Sequence, residues 1–561
     1  MTIIKNILIS GAAGQGIDTA AVIFEDALFA AGYHVFSNKD YMSRVRGGNN
    51  FVQIRFSENE LHSHSDILDL CIALDEEALT INKDLSSSIP FVADKSLEKE
   101  HGNHLYSEDF RTMAKDSGSE KAFTSAISGY VWKYFGLDIQ ILKDTINKNF
   151  NEKLADINVK AAQKGFDAGQ IKEALSPKQK HDDHIFINGN QALAFGSFMA
   201  GCKFYCAYPM TPSTSVMNEL AKYAQTYPII VEQAEDEIAA INMAIGSSFA
   251  GVRSMTGTSG GGLSLMVEGI GLSGISETPL VIINAMRPGP ATGFATRTAQ
   301  GDLSFILTAS QGEFPRVVLA PKDQADCFRI SLRAFELADK YQLPVFILTD
   351  QFLADARKNI KEFDPEEYIV SSYLADDLNM DDYTYQRYKL TENGISPRIY
   401  PGQYDNQVVL HDSYEHDERG HDTESAYYGT AMMDKRMKKE ELVKDDLIEP
   451  ELLGVPYAGT MILSWGSSYG AVKEAIERLN EGGFSVFGLH FSDLWPLPVK
   501  NLKKFCAKSQ HLITVEHNYT GQLAKLVKQE TGISVTDKVL GYDGRQMSPE
   551  TIYAKIKEVL S

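Results

Sequence analysis

The sequence is short of cysteine, of positive charge and of long apolar runs, and each shortage removes a class of protein. Five cysteines, Cys71, Cys202, Cys206, Cys327 and Cys506, are too few, too scattered and odd in number for a disulfide framework in 561 residues. They read as reduced thiols in or near the core. Cys202 and Cys206 stand four apart, but the close Cys-x-x-Cys runs that ligate iron–sulfur clusters are absent, so any cluster serving this protein belongs to another chain. Lys and Arg number 54 against 75 Asp and Glu, a formal net charge of −21, and no stretch concentrates basic residues enough to hold a phosphate backbone. Nucleic acid is excluded as a partner. No apolar run approaches the ~20 residues of a membrane span, and the first residues lack the apolar core and cleavage site of a secretory signal. A cytoplasmic protein without a membrane partner is expected.

What is present is ample apolar content, 43%, in a chain long enough for three or four domains at about 150 residues each. Residues 3–9 form an apolar run leading into Gly11, Gly14, Gln15 and Gly16, and helical periodicity follows from residue 17 to 31. Glycines in such a strand–turn–helix let the backbone approach an anion, or let the helix pack tightly on the strand; both readings stand. The spacing is not the G-x-G-x-x-G dinucleotide fingerprint. Arg46, Gly47 and Gly48 precede an alternating strand at 51–56, a turn that suits a phosphate, a partner edge or plain solvent. With apolar runs near 67–74 and 90–94 this makes an α/β domain over residues 1–177. A polar linker follows at 178–185, where His181 and His184 flank two Asp and read as a solvated hinge rather than a metal site.

Residues 186–358 form the central domain. Short apolar runs at 204–207, 229–231, 252–255 and 280–285 alternate with helix-like segments, the pattern of a parallel sheet with crossover helices. Such sheets bind ligands outside the carboxyl ends of their strands, so Thr211, Glu237, residues 256–259 and Arg287 are expected to gather on one edge. Thr211 is placed to cap a helix with Pro212 in its first position. Residues 256–262 read as a glycine-rich loop with free amides. Glu237 opens a helix rich in small residues, where the helix dipole alone favours a carboxylate. Glu232, Glu235 and Asp236 stand beside it, and spacing does not choose among the four. Residues 359–454 are acidic and Tyr-rich and read as an interdomain excursion. His411, His416 and His421 fall there on no common helix or strand face, which argues against a metal site. Residues 455–561 return to α/β as a compact closing domain.

Three ordered motifs resemble those of the alpha subunit of 2-oxoacid:ferredoxin oxidoreductases: Tyr208-Pro209-Met210-Thr211-Pro212-Ser213, Glu232-Gln233-Ala234-Glu235-Asp236-Glu237, and Arg287-Pro288-Gly289-Pro290-Ala291-Thr292-Gly293. Met210 stands where many relatives carry Ile. The turns at 14–16 and 46–48 are similar to that family's gamma domain, here fused in front. Residues 395–398, 415–420 and 516–522 extend the likeness to essentially the whole chain. The resemblance implies a multidomain α/β protein: a gamma domain, a parallel-sheet domain that binds the thiamine pyrimidine, and a domain like the transketolase C-terminal one.

By the same resemblance the cofactor is thiamine diphosphate with Mg2+, shared with a separate beta subunit. No Gly-Asp-Gly with a suitably placed Asn, which would supply the metal ligands, occurs in this chain. The beta subunit is implied to carry a [4Fe–4S] cluster, coenzyme A to be co-substrate, ferredoxin to accept the electrons, and the assembly to be (alpha–beta)2. Glu237 matches the carboxylate that hydrogen-bonds the aminopyrimidine N1′. Arg287 matches the residue that grips the 2-oxoacid carboxylate, Thr211 a substrate-side hydroxyl, and Thr296 the far end of the substrate. Tyr208, Pro209, Thr258 and Ser259 complete the cofactor site, and no metal ligand lies on this chain. The implied reaction is oxidative decarboxylation of a 2-oxoacid, 2-oxoglutarate first, to acyl-CoA and CO2, with pyruvate or a branched-chain 2-oxoacid as alternatives. A non-oxidative, transketolase-like thiamine subunit and a nucleotide-binding regulator built on the 14–16 turn are the rivals from other classes.

Overall fold

In the computed structural model the described residues are 3–43, 47–82, 88–100, 105–364, 368–376, 378, 380–456 and 459–561. Arg46 of the second glycine turn lies outside them. The chain forms two compact units: residues 1–187 with 355–362 and 548–550, and residues 188–354 with 363–547 and 551–561.

The first unit is built on an eight-stranded sheet in the order Leu105–Glu108, Phe91–Asp94, Leu70–Ala73, Ile4–Ala13, Gly47–Ser57, His34–Asp40, Arg357–Lys361, His184–Asn188. Its first four strands run parallel, and Gly47–Ser57 pairs antiparallel with both neighbours. Ile7, Ile9, Ile54 and Phe56 are fully buried in a core shared with the helices Ile17–Ala30 and Phe123–Tyr134. At the 14–16 turn Gly14 and Gly16 hold φ of 91° and 84°, and a Cβ on Gly16 would meet Thr124 at 3.2 Å, so the glycines serve both the turn and close packing. A cavity of about 620 Å³ lined by Gly14, Gly16, Lys39 and Tyr41 adjoins that turn.

Two segments differ from the sequence expectation. Part of the expected 178–185 linker is built into this unit. The Lys178 N–H donates to the Ala31 carbonyl at 2.7 Å, His184 opens a strand, and the His181 and His184 rings lie 4.4 and 6.0 Å from His34. The strand Arg357–Lys361, which straddles the expected boundary at 358 between the central domain and the excursion, pairs with His34–Asp40, and the Asn359 side chain accepts the Val35 N–H at 2.7 Å. Periodicity identifies a strand but not the sheet it joins.

The second unit holds a seven-stranded sheet in the order Asp493–Trp495, Val317–Leu319, Pro344–Asp350, Leu280–Met286, Ser254–Thr258, Phe204–Ala207, Ile230–Gln233. All neighbours are parallel except the first pair. Every residue of Leu280–Met286 and Pro344–Asp350 is buried, as expected of central strands covered on both faces. A five-stranded sheet from residues 451–540 shares its apolar core, with Ile282 and Phe346 in one cluster with Trp465 and Phe491. The five cysteines are unpaired, four of them buried. No described helix is long and apolar enough to cross a membrane.

The excursion expected at 359–454 contains a 21-residue helix, Ala426–Asp446, that the sequence did not announce. Its buried face carries Lys435, Arg436 and Lys439 beside Met432 and Val443, so it has no apolar stripe for periodicity to find. Lys435 and Lys439 both pair with Glu277, which is 1% exposed, and Arg387 donates to the Glu277 carbonyl at 2.7 Å. Burial pushes the Glu277 carboxyl up, but Lys435, Lys439 and Arg387 outweigh it and hold the group well below the carboxylate range. Removing one partner of a buried ionic cluster strands the others and costs about 3–5 kcal/mol. Glu277→Gln is therefore expected to lower the thermal midpoint of the protein, and a second change, Lys439→Met, to recover part of the loss. Unchanged melting of Glu277→Gln would show the cluster to be energetically idle.

Candidate active site at the carboxyl edge of the seven-stranded sheet

Five of the parallel strands point their carboxyl ends to one edge. Thr258 stands opposite Asn284, Met286 opposite Asp350, and Ala207 opposite Gln233. The residues that follow each strand end meet there, as expected of a parallel sheet.

Beyond Phe204–Ala207 come Tyr208, 40% exposed, then Pro209 and Thr211. Thr211 does not cap a helix. The helix begins at Thr214, and its N-cap, Ser213, makes no side-chain cap. The Met210 carbonyl accepts from Ser213 Oγ at 3.0 Å and from the Thr214 N–H at 3.2 Å, while the Pro212 carbonyl accepts from Asn190 Nδ2 at 2.9 Å. With these bonds the backbone turns before the helix starts. The Thr211 carbonyl instead accepts from Arg287 Nη1 at 2.7 Å.

Glu237 is the first residue of the helix Glu237–Phe249. Asp236 serves as its cap, accepting the Ala239 N–H at 2.7 Å, which relieves Glu237 of that task. The Glu237 side chain is 3% exposed, and among the described residues Oε1 has no hydrogen-bond partner. Burial, with Asp236 adding to it, raises the Glu237 carboxyl above its ordinary range. Glu232 and Glu235 are exposed, so the fold separates four neighbouring acids that spacing could not.

Thr256 and Thr258 lie within the strand Ser254–Thr258, not in a loop, and Gly260–Leu263 is one helical turn. That turn approaches the acid closely: a Cβ on Gly262 would overlap Thr258 Oγ1 and Glu237 Oε1 and lie 2.7 Å from Glu237 Cγ. Thr256 Oγ1 and Ser259 Oγ are buried and, among the described residues, unpartnered. Glu237, Thr258 and Ser259 are thus brought together, and the Thr258 hydroxyl also lies 3.8 Å from Met210 Sδ. Buried polar atoms in native proteins ordinarily find partners, so a cluster of orphans at a strand edge marks a place for a polar ligand.

Arg287 follows Leu280–Met286 and is half-buried; burial lowers its pKa, opposed by the charge of Asp302. Asp302 in turn accepts from Asn284 Nδ2 at 2.9 Å. Thr296, 9% exposed, lies in the segment 287–302 that links these groups. The segment is anchored from the closing domain. The Gln300 N–H donates to the His517 carbonyl at 2.7 Å, Gln300 Nε2 to the Trp465 carbonyl at 2.7 Å, and Gln522 Nε2 to the Gly301 carbonyl at 2.7 Å. Residues 516–522 therefore act as a clamp on the Arg287 segment. Asn284 and Asp302 were not singled out from sequence, and Gly262 was read only as part of the 256–262 loop. For Asp302 a signal existed, since it is the one acidic residue between Glu277 and Glu313. Among the described residues no group of three or more His, Cys, Asp or Glu could hold a metal.

Residues 196–435 match a family model described as pyruvate flavodoxin/ferredoxin oxidoreductase, thiamine diphosphate-binding. Residues 6–168 match pyruvate ferredoxin/flavodoxin oxidoreductase, and 458–552 match pyruvate:ferredoxin oxidoreductase core domain II. The 2-oxoacid:ferredoxin oxidoreductase subunit alpha of a Sulfolobus species is 32% identical over 96% of this chain and 94% of its own. The chain belongs to the alpha subunits of the 2-oxoacid:ferredoxin oxidoreductases. A solved 2-oxoglutarate:ferredoxin oxidoreductase from Magnetococcus marinus, with 2-oxoglutarate, coenzyme A and succinyl-CoA bound, superimposes with a TM-score of 0.92 at 32% identity over all of both chains. The 2-oxoglutarate synthase subunit KorA of Methanothermobacter thermautotrophicus is 29% identical over 66% of this chain and 97% of its own.

The residues at the edge fit the pyrimidine end of thiamine diphosphate. A buried carboxylate with one unpartnered oxygen and a raised proton affinity can share a proton with a ring nitrogen, and the orphaned Ser259 hydroxyl adds a second polar contact. Because a Cβ at position 262 has no room beside Glu237, Gly262→Ala is expected to leave the secondary structure intact and to lower the activity of the assembled enzyme by at least about a hundredfold, as when an acid–base group is displaced. Circular dichroism and steady-state rates check this; a fully active alanine variant would mean that the carboxylate position is not critical.

Proposed function

We propose that this alpha subunit holds the aminopyrimidine of thiamine diphosphate and the carboxylate of a 2-oxoacid, 2-oxoglutarate in the first place. In the assembled enzyme the acid is decarboxylated oxidatively to acyl-CoA and CO2, with ferredoxin as electron acceptor. The observation that carries the reading is the buried carboxylate of Glu237, whose Oε1 has no partner among the described residues, on the sheet edge that also presents Arg287. The substrate is supported by the ligands named for the Magnetococcus marinus relative and by the KorA likeness. A beta subunit supplies the diphosphate and Mg2+ site and the [4Fe–4S] cluster, in agreement with the lack of Cys-x-x-Cys runs here. The working enzyme is a cytoplasmic (alpha–beta)2 assembly.

When bound, the cofactor supplies the electron sink that decarboxylation of a 2-oxoacid requires. Glu237 holds a proton at the pyrimidine ring nitrogen, a task suited to a carboxyl whose proton affinity burial has raised. Arg287 binds the substrate carboxylate. Its Nη1 is tied to the Thr211 carbonyl, which fixes the guanidinium plane and leaves its other donors for the anion. The Thr211 hydroxyl meets the substrate near that end and Thr296 at the far end. Tyr208, Pro209, Thr258 and Ser259 wall the cofactor side.

Co-purified with its beta subunit, the protein is expected to reduce a viologen dye only when both a 2-oxoacid and coenzyme A are supplied, and the chain alone to be inactive. Acid-dependent turnover that needs neither coenzyme A nor an acceptor would favour the non-oxidative alternative. Glu237→Gln keeps the shape but not the protonic role, so it should assemble normally and lose about 10²–10⁴-fold in rate. A near wild-type rate would move the role elsewhere.

The two ends of the pocket are tested by a pair of variants. Arg287→Lys keeps a charge but loses the planar fork, and should lower kcat/KM for 2-oxoglutarate and pyruvate alike by roughly ten- to a hundredfold, the worth of one charge-assisted contact. Thr296→Val should lower kcat/KM for 2-oxoglutarate and spare pyruvate, which has no second polar terminus. The opposite pattern would reverse the assignment.

A further inference from the structure

Parallel sheets offer a ligand site beyond the carboxyl ends of their strands. In the five-stranded sheet a side chain of the protein itself fills that place. Gln300, 1% exposed, sits where the neighbouring parallel strands Thr460–Trp465 and His511–Glu516 end. Its Nε2 donates to the Trp465 carbonyl at 2.7 Å and its Oε1 accepts the His517 N–H at 3.0 Å. Its own N–H donates to the His517 carbonyl at 2.7 Å, and its carbonyl accepts from Asn518 Nδ2 at 3.1 Å. A carboxamide carries a donor and an acceptor on the two arms of one planar group, so it serves both strand ends at once. The seat is braced from behind. Glu516, fully buried, accepts from Trp465 Nε1 at 3.3 Å, from Asn518 Nδ2 at 2.9 Å and from the Leu523 and Ala524 N–H groups at 2.8 and 3.1 Å. A Cβ on Gly466, whose φ is 56°, would lie 3.1 Å from Gln300 Nε2, so this approach is open to glycine.

The peg stands beside one end of the pocket and away from the other. Burial alternates over residues 296–300: Thr296, Thr298 and Gln300 are buried and the two residues between them half-buried, so the three share one side of a short stretch. Thr298 is held as well, its N–H by the Gly544 carbonyl at 3.0 Å and its hydroxyl by Asp350 at 3.1 Å. Residues 289–294, upstream, are exposed. Arg287 has an anchor of its own on the Thr211 carbonyl. A shift at Gln300 therefore reaches Thr296 directly along the buried stretch, whereas it reaches Arg287 only through exposed residues without regular structure.

We propose that Gln300 is a positioning residue for substrate selectivity: pegged between two strand ends of the closing domain, it fixes the depth at which Thr296 meets the second polar terminus of a dicarboxylic 2-oxoacid. The inference rests on the reading of Thr296 given above and adds the means by which that hydroxyl is held. Without the peg the Trp465 carbonyl and the His517 N–H lose their partners in a buried place, and the segment must move to let water reach them. Thr296 moves with it. Arg287, and with it the grip on the carboxylate that all 2-oxoacids share, stays on its separate anchor.

The test uses the holoenzyme assembled with its beta subunit and compares kcat and KM for 2-oxoglutarate and pyruvate. Gln300→Met keeps length and volume but offers neither donor nor acceptor at its tip. It is expected to raise KM for 2-oxoglutarate roughly tenfold, the worth of one hydrogen bond to the substrate, and to change kcat and the pyruvate constants far less. Because the effect passes through Thr296, adding Gln300→Met to Thr296→Val should cost 2-oxoglutarate little more than Thr296→Val alone. Gln300→Glu keeps the acceptor but sets a carboxylate oxygen against the Trp465 carbonyl. Protonation restores a donor there, so in this variant the preference for 2-oxoglutarate over pyruvate should recover towards the wild-type ratio as pH falls. The inference falls if Gln300→Met matches wild type or lowers kcat for both acids alike, if its loss multiplies with that of Thr296→Val, or if Gln300→Glu shows no recovery at low pH. Failure of both single variants to assemble would make Gln300 a folding residue and overturn it equally. The two readings separate cleanly: equal losses for both acids in Thr296→Val remove the assignment of Thr296, whereas a selective Thr296→Val beside multiplied losses in the double variant removes only the role of Gln300.

Discussion

A carboxylate oxygen kept from water with no hydrogen bond to accept is costly, about 1–3 kcal/mol for a neutral group and more for a charged one. Glu237 Oε1 is held in that state, and the surrounding fold is arranged so that it cannot relax. Asp236 takes the capping role, Gly262 brings a backbone turn against the carboxylate, and Thr258 closes the strand side. Local stability given up in this way leaves a polar atom ready for a ligand, in a site that needs little reorganisation to receive one.

Around that acid the charges are laid out by sign and depth. Arg287 is anchored through one nitrogen to the Thr211 carbonyl, and the charge of Asp302 opposes the effect of burial on it. The segment bearing it has no regular structure between Met286 and Leu303, and its precision comes from the closing domain, where residues 516–522 bind its backbone. That gives the C-terminal sheet a role in the site without contributing a reacting group. The ionic cluster of Glu277 with Lys435 and Lys439 does comparable work farther out, holding a helix without an apolar stripe against the central domain.

Much of this was legible in residue order because the signals are local. The run at 280–285 was visible because a strand buried on both faces carries apolar residues without interruption, whereas Ile230–Gln233 is an exposed edge strand. The placement of Thr211, Glu237, Thr258 and Arg287 on one edge followed from parallel topology alone. The motifs at 208–213, 232–237 and 287–293 carried the family, and the absence of cluster-ligating cysteines pointed to a partner.

What remained was decided only by the tertiary structure, and the reason is the same in each case: burial and cross-strand contact are not local properties. Four adjacent acids look alike in sequence, but one points into the core, one caps a helix and two face solvent. Thr211 and Pro212 satisfy every local rule for a helix start, yet their carbonyls are claimed by Arg287 and Asn190 from other elements, and the helix begins later. The strands His184–Asn188 and Arg357–Lys361 bracket one domain in sequence and belong to the sheet of another. Asp302 has the pattern of an ordinary N-cap, and only the structure shows that it makes no cap bond and accepts from Asn284 instead. Periodicity names the elements and the residue types they can present; which of those residues loses its water, and beside which charge, follows from how distant strands are stacked.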